Sequence, residues 1–467
     1  MPIFCPKTDE KSDYFLNRVL FEFMLQYNYT YKSTNSRMAG GRLIEIGSFI
    51  KLERTKRNMT QGELSEGIVS LSYLSKIENK KTKASPEIIQ LLCDRLGIEV
   101  MDGTDLQIEE KCNEWYDMLF DRYDKQVMIA KYEELQQLMN RSINNHTLMF
   151  EIHQIRYYCV LRDLGKALQK MNELHDMADS FNYEESYYWY RFKGDYYTHK
   201  EDHQQAMRSY KLAEEQIRLA NIDEQEIADL NYALSIAHNN LWEDLESIDF
   251  AKLAMEVFQR NYNFIRCAQC HVLLGISYQR IKKPERALKH YNLAMHLGEL
   301  NKSQDIIYLT HYNLGYFHSV MGNSEKAIKH YLIAIENKDL KDKTKLDAFT
   351  RLIQELYTIG DYEKAKACLQ QAKEILELAK YKYDKFYNDF HNYIIQVYTY
   401  LLNGDLKKFK SILADDFIPY LMQQEDYGHL VFYAELLAVH LEKMGKYKES
   451  VQYYKVANKS YDKLIKL

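Results

Sequence analysis

A chain of 467 residues exceeds what one hydrophobic core supports and implies several domains or a repeat array. Its 46% apolar and 28% charged residues exclude a disordered chain, and a net charge of −5 excludes a polycation. Seventeen Gly and five Pro point to an all-α fold with short connections, and seven Cys without framework spacing fit a reducing compartment. The cytoplasm is therefore the expected location, with no membrane contact, because no 18-residue apolar run supplies a span.

Residues 1–40 form an N-terminal extension. Phe15 to Leu25 has amphipathic spacing, and Met38 is expected to be the biological initiator, since Met38-Ala-Gly-Gly has the look of a fresh start. Residues 41–100 make a small head with five short helical patterns. Between Ile46 and Lys83 eight Lys/Arg face four Glu, so a cationic head sits on an acidic remainder. Ile46, Phe49 and Ile50 mark the first pattern. Thr60 caps the second, with Glu63 completing a capping box and Gly67 ending it in left-handed backbone. Ser70 caps the third, Leu71 to Asn79, and Pro86 opens a helix with the stripe Ile88, Leu91, Leu92 and Leu96.

The stretch from Met59 to Asn79 resembles the helix-turn-helix of the phage-repressor (Xre) family: Thr60-Gln61 opening helix two, Leu64 in the core, small Ser65, the Gly67 turn, and Ile77-Glu78 closing helix three. The resemblance covers about 55 residues and implies a third helix that enters the major groove of double-stranded DNA. Leu71, Ser72 and Lys76 would then face base edges, and Gln61, Ser70 and Tyr73 phosphates. Lys80, Lys81 and Lys83 would add salt-sensitive attraction, although Lys80 stands where that family often has Gly. One head reads one half-site, so a homodimer or higher homo-oligomer on an inverted repeat follows.

Residues 101–112, with Asp102-Gly103, read as a linker. Over 113–467 the chain repeats itself. Ala206/Tyr210/Ala213, Ala287/Tyr291/Ala294 and Ala327/Tyr331/Ala334 recur, with Gly194, Gly275 and Gly315 twelve residues before them. Weaker copies centre on Ala167, Ser247, Ala365, Phe409 and Ser450, and consecutive anchors lie 38 to 44 residues apart. These are eight helix–turn–helix units, with a degenerate ninth near Trp115–Leu138, that stack into a right-handed superhelix with an inner groove. The period exceeds the ~34 residues of a tetratricopeptide repeat, which helices about one turn longer would explain.

Projecting the units onto one another places Arg156, Arg191, Asp195, Tyr232, Asn239, Asn240, Gln279 and Arg280 on the groove, followed by Tyr312, Asn313, Tyr316, Arg351 and Gln354. Amides satisfy an extended peptide's N–H and C=O groups, and guanidiniums its carboxylates. An Xre head followed by such an array resembles the RRNPP quorum-sensing peptide receptors, most closely the NprR- and PlcR-type regulators. That resemblance implies a short signalling peptide bound in the groove as the control on DNA binding or oligomeric state, with Asn313, before Leu314-Gly315, clamping peptide backbone. Two alternatives stay open: Rap-like binding or dephosphorylation of a phosphorelay response regulator, and a scaffold whose groove is filled by its own helices.

Cys267-Ala-Gln-Cys270-His271 matches the covalent haem motif but falls inside a repeat helix, so buried cysteines are expected instead. No phosphate loop, zinc motif or nucleophile elbow occurs, and neither cofactor nor catalytic residue is expected. His290 and His330 read as helix-surface positions.

Overall fold

The computed structural model describes residues 46–79, 81–100, 106–120, 124–139, 142–143, 147–336, 342–379, 385–424 and 426–466. The extension over 1–40 and Lys80 lie outside them. Four short helices build the head: α1 (Ile46–Lys56), α2 (Gln61–Ser65), α3 (Leu71–Glu78) and α4 (Pro86–Leu96). They enclose Phe49, Ile50, Leu64, Leu74, Ile77, Leu92 and Leu96. The Thr60 hydroxyl accepts the Glu63 N–H at 3.2 Å, and the Glu63 carboxylate accepts the Thr60 N–H at 2.6 Å. Gly67 takes φ +70°, which swings the chain toward α3.

The head has four helices among the described residues against the five helical patterns expected, and beyond the last of them β1 (Glu99–Val100) pairs in parallel with β2 (Ser142–Ile143). Gly97, at φ +68°, ends α4, and the extended chain after it carries β-branched residues. The linker expected over 101–112 also ends early, because α5 (Leu106–Met118) begins inside it. Ile108, Cys112 and Trp115 share one face of that helix and are buried.

The remaining helices come in pairs. α5 is followed by α6 (Lys125–Met139), α7 (Thr147–Leu161), α8 (Leu164–His175), α9 (Tyr183–His199), α10 (His203–Ile217), α11 (Glu224–Asn240) and α12 (Asp244–Arg260). Then come α13 (Phe264–Arg280), α14 (Pro284–Leu300), α15 (Gln304–Val320), α16 (Ser324–Ile335), α17 (Asp342–Thr358) and α18 (Tyr362–Ala379). The last are α19 (Lys385–Leu402), α20 (Leu406–Ser411), α21 (Ile418–Gln423), α22 (Tyr427–Lys443) and α23 (Tyr447–Lys466). A π-helical stretch over Ile412–Phe417 joins α20 to α21, just before Pro419, which lacks an N–H for the helical ladder. From α9 through α18, each first helix packs on its own second helix and on the first helix of the next unit. First helices thus line the inner side of a superhelix.

The long period has a plain origin. α11 to α15 are seventeen residues each, joined by three-residue turns, so a unit takes forty residues. Each turn sends its middle residue into left-handed backbone; Trp242, for example, has φ 64° while the Glu243 N–H donates to the His238 carbonyl at 3.0 Å.

Within units the recurring Gly and Tyr touch. A Cβ at Gly194, Gly275 or Gly315 would lie 2.2, 2.4 or 2.6 Å from a ring carbon of Tyr210, Tyr291 or Tyr331. These rings are buried, so they cannot swing into solvent. Gly275→Ala is expected to cost about 1–3 kcal/mol by overpacking, read from the urea midpoint. Gly165→Ala, where the nearest atom is 3.6 Å away, should not reproduce that loss.

His290 and His330 are half-buried, not surface positions, which corrects the sequence reading. Each pairs ring to ring with the first helix of its own unit: His271 Nδ1 to His290 Nδ1 at 2.9 Å, His311 Nδ1 to His330 Nδ1 at 2.8 Å. Burial pushes His271 down to about 3 and His290 and His330 to about 4. An unfolded chain binds protons at these rings near pH 6.5, where the folded chain does not. Stability is therefore expected to be full above pH 6.5 and to fall as pH drops toward 4. Replacing His271 and His290 together by Gln should flatten the fall between pH 6.5 and 5 in thermal melts, a range in which carboxylates contribute little.

Candidate functional site

In the head, Leu74 and Ile77 of α3 are buried against α1, α2 and α4, while Leu71, Ser72 and Lys76 point outward. Leu71 is 56% exposed, a large apolar side chain left in water at a helix start. Ser70 caps α3, its hydroxyl accepting the Tyr73 N–H at 3.3 Å and lying 3.3 Å from the Ser72 hydroxyl. Lys81 and Lys83 are exposed beyond the C-terminal end of α3, and Tyr73 is half-buried. Gln61 is placed differently: its amide donates to Glu78 Oε2 at 2.7 Å. Glu78 is fully buried and also receives Arg54, from Nε at 2.7 Å and Nη2 at 3.0 Å. This bidentate pair ties the reading helix to α1, and the sequence reading passed over it.

Along the groove the first helices are stitched by alternating charges. Arg156 of α7 meets Asp195 Oδ2 of α9 at 2.7 Å. The other Asp195 oxygen takes Arg191 and, at 2.9 Å, the Tyr210 hydroxyl. Arg191 reaches the Asp229 carbonyl of α11 at 3.4 Å, and the Asp229 carboxylate pairs with Arg266 of α13. Burial alone would raise the Asp195 carboxyl, but Arg156 and Arg191 outweigh it and hold it below the usual carboxylate range. Arg191 is only 4% exposed, so it serves the ladder more than the groove surface. Arg266 lies 4.3 Å over the Tyr232 ring; neither it nor Asp229 was foreseen.

Further along, Asn239 is buried and donates to Ser277 Oγ at 3.0 Å, while exposed Asn240 lies 3.4 Å from His203. Arg280 donates to the Asn239 carbonyl at 2.6 Å and covers Trp242. Gln279 accepts the Tyr291 hydroxyl at 3.0 Å. The Asn313 amide donates to the Leu309 carbonyl of its own helix at 2.8 Å. Arg351 stacks 4.4 Å over Tyr316 and donates to the Tyr312 hydroxyl at 3.4 Å. Gln354 donates to Tyr433 at 2.8 Å across two units. Arg351 and Gln354 border a small cavity shared with Asp347, Thr350, Phe390, His391, Ile394 and His429. Among the described residues no carboxylate stands within ion-pair distance of Arg351.

The cysteines of the haem-like motif are buried within α13, and burial pushes the Cys267 thiol up to about 12. Among the described residues no helix is long and apolar enough to cross a membrane.

A reading helix turned to solvent on a groove-forming repeat array is the architecture of a DNA-binding regulator. Residues 50–102 match the helix-turn-helix family model. Over 399 residues the chain is 30% identical to the transcriptional activator NprA of Geobacillus stearothermophilus, covering 84% of this chain and 98% of that protein. It is 24% identical to the regulatory protein RapC of Bacillus subtilis, over 43% of this chain and 56% of RapC. Among solved structures, the apo form of the quorum sensor NprR from B. thuringiensis superposes with a TM-score of 0.64 at 19% identity, over 77% of this chain and all of that one. NprR in complex with its cognate peptide NprX gives 0.59 at 20% identity, over 78% of this chain and all of that one. The chain belongs to the NprA family of helix-turn-helix transcriptional regulators, within the RRNPP group.

Proposed function

We propose that the chain reads an inverted-repeat DNA site as a cytoplasmic homodimer through α3, and that a short peptide in the repeat groove controls this reading. The outward face of Leu71, Ser72 and Lys76 carries the proposal. A bidentate Lys76 contact to guanine would discriminate by about 1–3 kcal/mol, and Lys81 and Lys83 would each add to the salt dependence. Selection of duplexes from a random pool should enrich an inverted repeat. Lys76→Ala should relax one position of each half, and Lys81→Ala should weaken all sequences alike. Enrichment of no sequence would sink the reading.

The peptide half rests on Arg351, a stacked cation suited to a carboxylate, and on the half-buried amides of Gln279 and Gln354, with Asn313 the backbone clamp that the resemblance implies; Asn239, buried on Ser277, serves the packing between helices. NprR, of the same fold, is seen with its peptide NprX. Mass spectrometry of peptide co-purified with the chain supplies the ligand. Asn313→Ala should weaken its binding in calorimetry while oligomerisation without peptide stays unchanged; equal affinity would remove that role. A Rap-like contact with a response regulator is the second reading, favoured by the similarity to RapC, and a pull-down with phosphorelay proteins tests it.

A further inference from the structure

α1 is buried on two sides. Phe49 and Ile50 face the core of the head, whereas Leu52, only 1% exposed, joins the core of the repeat body beside Ile152, Ile155 and Met171. Flanking Leu52 on the same helix, Lys51 Nζ donates to the Asp176 carbonyl at 2.7 Å, at the C-terminal end of α8, where a cation complements the helix dipole. Lys56 Nζ meets Glu151 Oε1 of α7 at 2.6 Å. The other Glu151 oxygen takes Lys170 of α8 at 2.8 Å.

Glu151 is almost fully buried. Desolvation would raise its carboxyl, yet Lys56 and Lys170 together hold it below the usual range. Lys170 has a second partner of its own in Glu173 at 2.7 Å, and Lys56 also meets Glu53 of α1 at 3.0 Å. With Lys56 withdrawn, a buried carboxylate would keep one cation instead of two, so undocking the head exposes Leu52 and half-strips Glu151 in one event. Of the head's helices it is α1 that makes this contact, and the β1–β2 pairing tethers the far end of the head to the body. Leu71, Ser72 and Lys76 remain in solvent on the docked head.

We infer that Glu151 is a latch: with Leu52 and Lys56 it clamps the head to the repeat body in an orientation that keeps the reading helix facing outward. The clamp is a property of the fold and needs neither DNA nor peptide, so its test is independent of the proposed function.

The test uses the full chain with ¹⁵N-labelled backbone and small-angle scattering. In the wild type the amides of residues 61–96 should tumble with the whole 55.7 kDa chain. In Glu151→Gln and Lys56→Gln their correlation time should drop by about threefold or more as the head moves on its own, and the radius of gyration should rise. Lys170→Gln removes a cation from Glu151 but leaves Lys56 in place, and should keep the head docked. If Glu151→Gln disturbs the body, as seen in its circular dichroism, the surface variant Lys56→Gln decides. Unchanged head tumbling and scattering in Lys56→Gln would overturn the latch, as would release of the head by Lys170→Gln to the same extent.

Discussion

Arg54→Ala is expected to unfold the reading head while the repeats stay folded. Glu78 has no solvent access of its own, and Arg54 supplies both of its short charged contacts. The Gln61 amide that remains is neutral and cannot balance the charge. Removing one member of a buried ion pair costs about 3–5 kcal/mol, a large share of what a head of some 55 residues can hold in reserve. Circular dichroism should show a small early transition, absent in the wild type, ahead of the main one, and DNA retention should vanish at temperatures where the main helical signal persists. A melt unchanged at its low end would refute this.

The second large effect is expected in the body. Asp195→Asn keeps the side-chain shape but leaves Arg191 buried without its anion and takes the ion pair from Arg156. A loss of about 3–5 kcal/mol is expected on the same grounds, read from urea unfolding at pH 7. The carboxyl is held low in the fold, so its contribution is complete above pH 4 and disappears as the pH falls through its folded value. The difference between wild type and Asp195→Asn should accordingly shrink on acidification below pH 4.

The head was legible in the sequence because its signals are local. The capping box spans four residues, Thr60 to Glu63, and the turn glycine has a conformation few other residues accept. The repeat was legible for a related reason: Gly275 and Tyr291 recur because they touch, so geometry wrote itself into spacing. The charge ladder was not. Asp229 and Arg266 lie 37 residues apart on neighbouring units, and nothing in either helix alone says which cation faces which anion. His290 misled for a similar reason: its position on one helix looks outward, and only the partner helix of its unit turns that face into a seam. Arg54 and Glu78 could have been found, since each would otherwise be a charge on the apolar side of a short helix.

The equal strides from Glu224 to Phe264 to Gln304 make the body something like a film strip, in which one frame can be cut and the ends rejoined. Removing residues 264–303 would bring Asn263 to Gln304, at a left-handed turn of the same length as the one lost. Lengthening or shortening this spiral by whole frames would change how much ligand it can embrace without disturbing how its frames meet.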